Sequence, residues 1–293
     1  MVRTLCIYNY YEKNAQYKEN LIYFLTNGVN DNSDYLFVVN GESSVQFPEK
    51  KNIKVLRREN KGFDFMAWSY GIDRINIDDY DYFIFLNTSV RGPFVNEPDK
   101  KDKWQDLFTS MIRGDVKLVG TTICVLHRGG GFSVLEKEWK DFRDPPYIHV
   151  QSQMFAMDRE CLIYLKPLIF NGEYSNSFFE TVLYKEIKMS QYVLNKNWNI
   201  NCVATHYRDK DYRVIKQDFN HTSRHGDSNW KGAYFGGTLT PYDVIFIKTN
   251  RDIYPIVEKY TENTQNQDTC MILPISILLA IFGILLSVAL LKI

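Results

Sequence analysis

The sequence predicts an α/β protein, a mostly parallel sheet with helices on both faces, followed by a single C-terminal membrane helix. Three observations carry this expectation. Continuously apolar runs of strand length alternate with segments of helical spacing through the first half of the chain, as in strands buried on both sides. Several of these runs end in polar junctions, and open α/β sheets bind ligands beyond the carboxyl ends of their strands. The stretch from Met271 to Leu291 is 21 residues without a charge, about the length that crosses a hydrocarbon core as a helix.

Residues 4–10 read as the first strand, 15–27 as a helix closed by Gly28, and 35–40 as a second strand ended by Gly41. A third strand over 52–59 leads through Asn60-Lys61-Gly62-Phe63-Asp64 into a helix over 65–75. Residues 82–87 form the most apolar strand, and 117–126 another. Polar and apolar side chains alternate over 149–158, which predicts a strand. Residues 177–195 have helical spacing, with Phe179, Val182, Leu183 and Ile187 on the core side, and 242–251 returns to strand character.

The apolar tail has no polar face at any helical spacing and follows the polar stretch 260–270, so a membrane span is favoured over a buried helix. The chain thus divides into a body over 1–259, a linker over 260–270 and a span over 271–291. Its first residues look like a core strand and not a signal peptide, which places the body on the cytosolic side of a C-terminal single-pass anchor. Lysine plus arginine equals aspartate plus glutamate at 35 each, so no global basic field recruits nucleic acid. Cys6, Cys124, Cys161, Cys202 and Cys270 have neither disulfide-framework nor metal-ligand spacing and read as reduced thiols.

Asn9, Asp64 and the segment Asn87-Thr88-Ser89-Val90-Arg91 lie at the expected ligand edge. Gly62 permits a left-handed turn. Asp64 fits two roles, helix N-cap or acceptor for a nucleobase or ribose. The 87–91 segment is either a turn closed by Gly92-Pro93 or a diphosphate contact. Asp79-Tyr80-Asp81 spells the Asp-x-Asp pattern of metal-bound nucleotide sugars, but it precedes its strand and belongs at the opposite edge. The position after that strand has only neutral oxygens, leaving a requirement for manganese or magnesium open, with Asp64 or a later acid as the available ligand. Arg128-Gly129-Gly130-Gly131 is a loop whose backbone could approach a phosphate, without the ending of a P-loop.

His149, Gln151 and Gln153 share one face by the two-residue strand period, either a polar wall for a hydroxyl-rich ligand or a solvated edge. Glu180 and Glu186 are six residues apart on the 177–195 helix, so only one of them can point into a site. His206, Arg208 and the stretch from His221 to Asp227 are either a group that neutralises a leaving diphosphate or a polar surface loop.

Five stretches, 60–72, 82–94, 149–158, 184–200 and 236–251, resemble the rhamnan-synthesis F-like family of glycosyltransferases, which includes relatives in large DNA viruses of algae. Together they run in order across nearly the whole body. The resemblance implies a GT-A-like nucleotide-binding sheet and transfer of a sugar from a nucleotide-sugar donor to a glycan or glycoprotein acceptor. Asn60, Gly62 and Asp64 match the family's donor-side Asn-x-Gly-x-Asp pattern. Asn87, Thr88 and Ser89 match its Asn-Asp-Ser segment, with threonine replacing the carboxylate of an ordinary metal site. Glu186 matches its Glu-Ile-x-Met/Leu-Ser helix and is the expected general base of an inverting reaction, with His149 the second catalytic candidate. Asn9, Arg91, His206 and Arg208 are then expected on the donor, and Gln151 and Gln153 on the acceptor. The competing expectation is a membrane-tethered, non-enzymatic glycan- or nucleotide-binding module.

Overall fold

Strand period and burial together set the architecture. The computed structural model describes residues 2–126, 146–175 and 177–264. In chain order the first half comprises β1 (Thr4–Tyr10), α1 (Ala15–Asn27), β2 (Asp34–Asn40), β3 (Ile53–Arg58), α2 (Phe63–Ile72), β4 (Tyr82–Asn87) and the short β5 (Val90–Arg91). Two short helices follow, α3 (Pro98–Lys101) and α4 (Asp106–Thr109), then β6 (Val116–Gly120), β7 (Ile123–Leu126), β8 (Tyr147–Val150) and β9 (Met154–Asp158). The remainder is α5 (Arg159–Leu165), α6 (Phe178–Thr181), α7 (Lys188–Asn195), β10 (Asn199–Cys202), α8 (Pro241–Val244) and β11 (Ile247–Lys248).

The main sheet has the order β10-β6-β9-β4-β1-β2-β3. Only β9 runs antiparallel to its neighbours β4 and β6, so the expected mostly parallel sheet is what forms. Helix α2 covers one face, where Trp68 stacks edge-on against Phe85 and Phe155 and donates from Nε1 to the Leu86 carbonyl. Gly71 brings α2 close to the sheet: a Cβ there would touch Val38, Leu36 and Ile7 at 3.1 to 3.4 Å. The other face buries Tyr8, Phe24, Phe37, Trp104 and Phe246 in one aromatic-rich cluster.

Three expected strands break where local chemistry demands it. The 117–126 segment divides into β6 and β7, because the backbone turns at Thr121 and Thr122 and β7 pairs with β8 in a separate two-stranded sheet. The 149–158 segment likewise divides at Gln151–Gln153, a turn that joins the small sheet to the large one. Over 242–251 a reciprocal capping box between Thr240 and Asp243, with Pro241 in the first turn, starts α8, and only Ile247–Lys248 is strand. The 177–195 helix forms, with a π-helical segment, Val182–Ile187, between α6 and α7.

Residues 254–264 form a helix in a second compact unit, and this helix runs into the stretch expected as linker. Among the described residues no helix is long and apolar enough to cross a membrane. The span expected over 271–291, the 128–131 glycine loop and Cys270 lie outside the described residues. Cys6, Cys124, Cys161 and Cys202 are free thiols and buried.

Gly62, which launches α2, has φ +80°, and a Cβ there would lie 2.4 Å from Met66 Cγ and 2.8 Å from Tyr174 Cδ1. Gly232 has a similar φ of +73° with nothing within 4 Å of its Cβ position. Gly232→Ala should therefore cost only the left-handed backbone term, about 1–2 kcal/mol, and Gly62→Ala more than that. Chemical unfolding of the two variants checks this; equal losses would show that the α2 start tolerates a Cβ.

Candidate functional site

The alternation of side chains along β1, β2 and β4 turns Asn9, Asn40 and Asn87 to the face covered by α2. Asn9 is in register with Asn87, and Asn40 with Arg58. Asp64, in the first turn of α2, meets this row. Asn9 Nδ2 donates to Asp64 Oδ1, and Asn87 Nδ2 donates to Oδ2 at 2.9 Å. Each amide is oriented from behind. Asn40 Nδ2 donates to Asn9 Oδ1, and Arg58 Nη1 donates to Asn40 Oδ1 at 3.1 Å. Ser89 donates to Asn87 Oδ1 from its N–H at 3.0 Å and its hydroxyl at 2.6 Å. Asp64 is thus a first-turn acid held by side-chain amides, while Gly62 takes the N-cap position. Burial pushes its carboxyl up to about 6, the Glu186 charge pushes the same way, and the two amides and Lys248 pull against them.

Asp64 lines a cleft of about 560 Å³ at this edge of the sheet, together with Asn87, Thr88, Ser89, His149, Gln151, Gln153 and Glu186. Glu186 belongs to the π-helical segment, a feature found often at functional sites. Its Oε2 accepts from both the N–H and the hydroxyl of Ser152, the centre of the turn between β8 and β9. Its Oε1 lies 3.7 Å from His149 Nε2. His149 Nδ1 faces the Tyr147 carbonyl at 2.9 Å and must donate there, so the neutral ring presents a lone pair at Nε2. Burial lowers the His149 pKa against the pull of Glu186, which keeps the ring neutral. Two acceptors side by side, Nε2 and Oε1, suit a hydroxyl group that brings its own proton.

Gln151 Oε1 accepts from Thr122 Oγ1 at 2.8 Å and Asn229 Nδ2 at 2.7 Å, while Gln153 Nε2 donates to Thr121 Oγ1 at 2.9 Å. Both therefore stand in the cleft wall, though on a turn and not on one strand face. Glu180 lines a different hollow, with Tyr184 and Lys188.

Four expected donor contacts lie elsewhere. Asn60 is exposed on the turn before α2 and does not line the cleft. Arg91 is 2% exposed inside the fold, its Nε bound to Asn20 Oδ1 at 2.9 Å and its Nη2 paired with Glu19 at 3.2 Å, because the pairing of β5 with β11 turns it inward. His206 is exposed and packs on Tyr234 and Phe235, and Arg208 folds back onto the Val203 carbonyl. Asn9 and Gly62 support Asp64 from behind without lining the cleft.

The cations that do line the cleft are Lys248, Arg251 and Arg224. Both arginines lie over the Trp230 ring, at 4.1 Å for Arg224 and 4.7 Å for Arg251, and Arg251 pairs with Asp227 at 3.5 Å. Burial opposes ionisation of Asp227, but Lys248, the Asn229 backbone and amide, and Arg251 outweigh it and hold the carboxyl below its usual range. At the mouth, Phe63 and Phe178 are exposed, 42% and 69%, with ring centres 6.2 Å apart. Phe63 has φ +55°, an uncommon conformation for a bulky residue, and it directs the ring outward. Sequence reasoning named the stretch from His221 to Asp227, which brings Arg224 and Asp227 into the cleft, but passed over Lys248, Arg251, Trp230, Phe63 and Phe178.

The described residues do not fit an enclosed divalent-metal site. No three His, Cys, Asp or Glu converge among them, and both Asp64 oxygens are engaged by amides. Asp81 of the Asp-x-Asp motif, at the opposite edge, pairs with Arg159 at 2.9 Å and accepts from the Arg3 N–H.

Neither protein-family models nor curated protein sequences yield a match to this chain. Among solved structures, the chain is similar to the mannosyltransferase PcManGT from Pyrobaculum calidifontis in complex with GDP-Man and Mn2+, at 13% identity and a TM-score of 0.42, over 68% of this chain and 53% of that one. It is also similar to S. aureus TarS 1–349 in complex with UDP-GlcNAc, at 13% identity and a TM-score of 0.41, over 74% of this chain and 59% of that one. The chain thus spans little more than half the length of these structures.

Because burial raises the folded-state pKa of Asp64 above the ordinary aspartate range, to about 6, the folded protein binds this proton more tightly than the unfolded chain. Its contribution to stability is complete below about pH 4 and is lost as pH rises through about 6. Thermal unfolding of the wild type and Asp64→Asn from pH 4 to 7 should show the difference moving against the wild type as pH rises. A pH-independent difference would mean the carboxyl titrates normally.

Proposed function

We propose that this chain is a nucleotide-sugar-dependent glycosyltransferase of the rhamnan-synthesis F-like kind, passing a sugar to a glycan or glycoprotein hydroxyl with inversion. The observation that carries this reading is the pairing of two differently held carboxylates in one cleft. Asp64 is fixed by oriented amides at the strand ends, whereas Glu186 has one oxygen held by Ser152 and the other directed at His149. A general base needs that second arrangement: a fixed carboxylate with one oxygen free to take a proton.

In this reading Asp64 accepts from the ribose or base of the donor, and Thr88 and Ser89 lie along its phosphates. The acceptor hydroxyl sits between His149 Nε2 and Glu186 Oε1. Its oxygen forms the new bond to the sugar's anomeric carbon while the bond from that carbon to the diphosphate breaks on the opposite face. The proton passes to Glu186, and the electron pair leaves with the diphosphate. Gln151 and Gln153 offer amides to sugar hydroxyls, and the exposed rings of Phe63 and Phe178 suit the apolar face of a sugar. The uncharged stretch at 271–291, of membrane-spanning length, supports an acceptor presented at a membrane.

Full-length protein in detergent should turn over one class among UDP-, GDP- and dTDP-sugars. Glu186→Gln should lower that turnover by about 10²–10⁴-fold while donor affinity changes by less than about threefold. Selective binding without turnover, with glycan acceptors supplied, would favour the binding module; no binding of any nucleotide sugar would sink both readings.

A further inference from the structure

We propose that Lys248, with Arg251 beside it, neutralises the leaving diphosphate in place of a divalent metal, so that transfer runs without one. This rests on the transferase reading above and concerns a lysine within the 236–251 stretch to which the resemblance assigns no role.

Strand pairing carries the first part of the argument. β11 runs antiparallel to β5 with Lys248 opposite Val90, so the lysine stands directly beyond the Asn87-Thr88-Ser89 turn, where such folds meet a diphosphate. The two segments are tied together. The Thr249 N–H donates to the Ser89 carbonyl at 2.9 Å, and Asn20 Nδ2 bridges the Thr88 carbonyl at 2.8 Å and Thr249 Oγ1 at 2.7 Å. Lys248 is held where the strand-end turn is held, not on a separate loop.

Its charge carries the second part. Lys248 forms no hydrogen bond and no ion pair with any described residue, although it lines the cleft and feels Asp227 and Glu186 at longer range. Arg91, the cation expected at this point, is already spent on Glu19 and Asn20. Arg251 supplies a second positive charge, braced by Asp227 and by the Trp230 face. A partly buried ammonium has already lost part of its water shell, so meeting a developing phosphate charge requires less reorganisation than in solvent.

The third part is the poor fit to a metal. The position after β4 that the resemblance implies to be acidic is Thr88, and no group of three His, Cys, Asp or Glu converges among the described residues. When the bond from the anomeric carbon to oxygen breaks, the electron pair moves onto the departing phosphate oxygen. Two cations in the cleft then offset the charge a metal would otherwise meet.

The test uses full-length protein and the nucleotides themselves. Calorimetric titration with nucleoside di- and monophosphates, and turnover of the accepted nucleotide sugar, are measured in EDTA and in manganese. Diphosphate affinity and turnover are expected to agree within about twofold between the two conditions. Lys248→Met should lower turnover by about 10²–10³-fold and narrow the preference for diphosphate over monophosphate by about tenfold. Lys248→Arg should retain most of that preference, which separates loss of charge from loss of fold. Turnover that vanishes in EDTA and returns with manganese, or an unchanged diphosphate preference in Lys248→Met, overturns the proposal and leaves the transferase reading intact. Failure to bind any nucleotide sugar in either condition overturns the transferase reading itself.

Discussion

The chain of amides that ends on Asp64 is the constraint on which the rest of the site depends. Each asparagine accepts with its carbonyl oxygen from one side and donates from its amide to the next group, so the direction of every bond is determined. A buried amide left unmatched costs about 1–3 kcal/mol, so the row must close as a whole. A one-residue slip of β1 against β4 would turn Asn9 to the opposite face and leave Asp64 without its amide. Sheet register, the left-handed start at Gly62 and the position of the carboxylate are therefore one solution. The same burial that orients Asp64 raises its pKa, so the site is held at some cost in stability.

A second set of constraints builds the opposite wall. The break between β8 and β9 looks like a defect in a strand, yet it delivers the Ser152 N–H and hydroxyl to Glu186. The π-helical segment provides the matching irregularity on the helix. Between the two, His149 is pinned by the Tyr147 carbonyl so that Nε2 faces the carboxylate. The loop from Arg224 to Trp230 adds Asp227 and the ring on which two guanidinium groups rest.

Much of this was legible from residue patterns. The buried strands, the parallel arrangement and the placement of Asn9, Asp64 and Asn87 at one edge follow from strand period and the rule that ligands sit beyond carboxyl ends. Rejection of Asp79 and Asp81 as a ligand pair followed from position alone, and the structure places them at the far edge, with Asp81 bound to Arg159. Glu186 emerged from the family resemblance, since its helical spacing did not distinguish it from Glu180.

The sequence by itself determined most strands of the main sheet and the residues at their ends, because burial and two-residue alternation are local properties of the chain. The breaks inside 117–126 and 149–158 came instead with the pairing of β7 and β8 in a separate sheet. Only the tertiary structure decided which charges reach the cleft. Arg91 and Lys248 both lie in strand segments next to polar turns, and nothing local separates them. Pairing of β5 with β11, segments about 157 residues apart, sends the arginine into the interior beside Asn20 and leaves the lysine in the cleft. A side chain's partner across a sheet is fixed by a long-range register, and that register is a property of the whole fold.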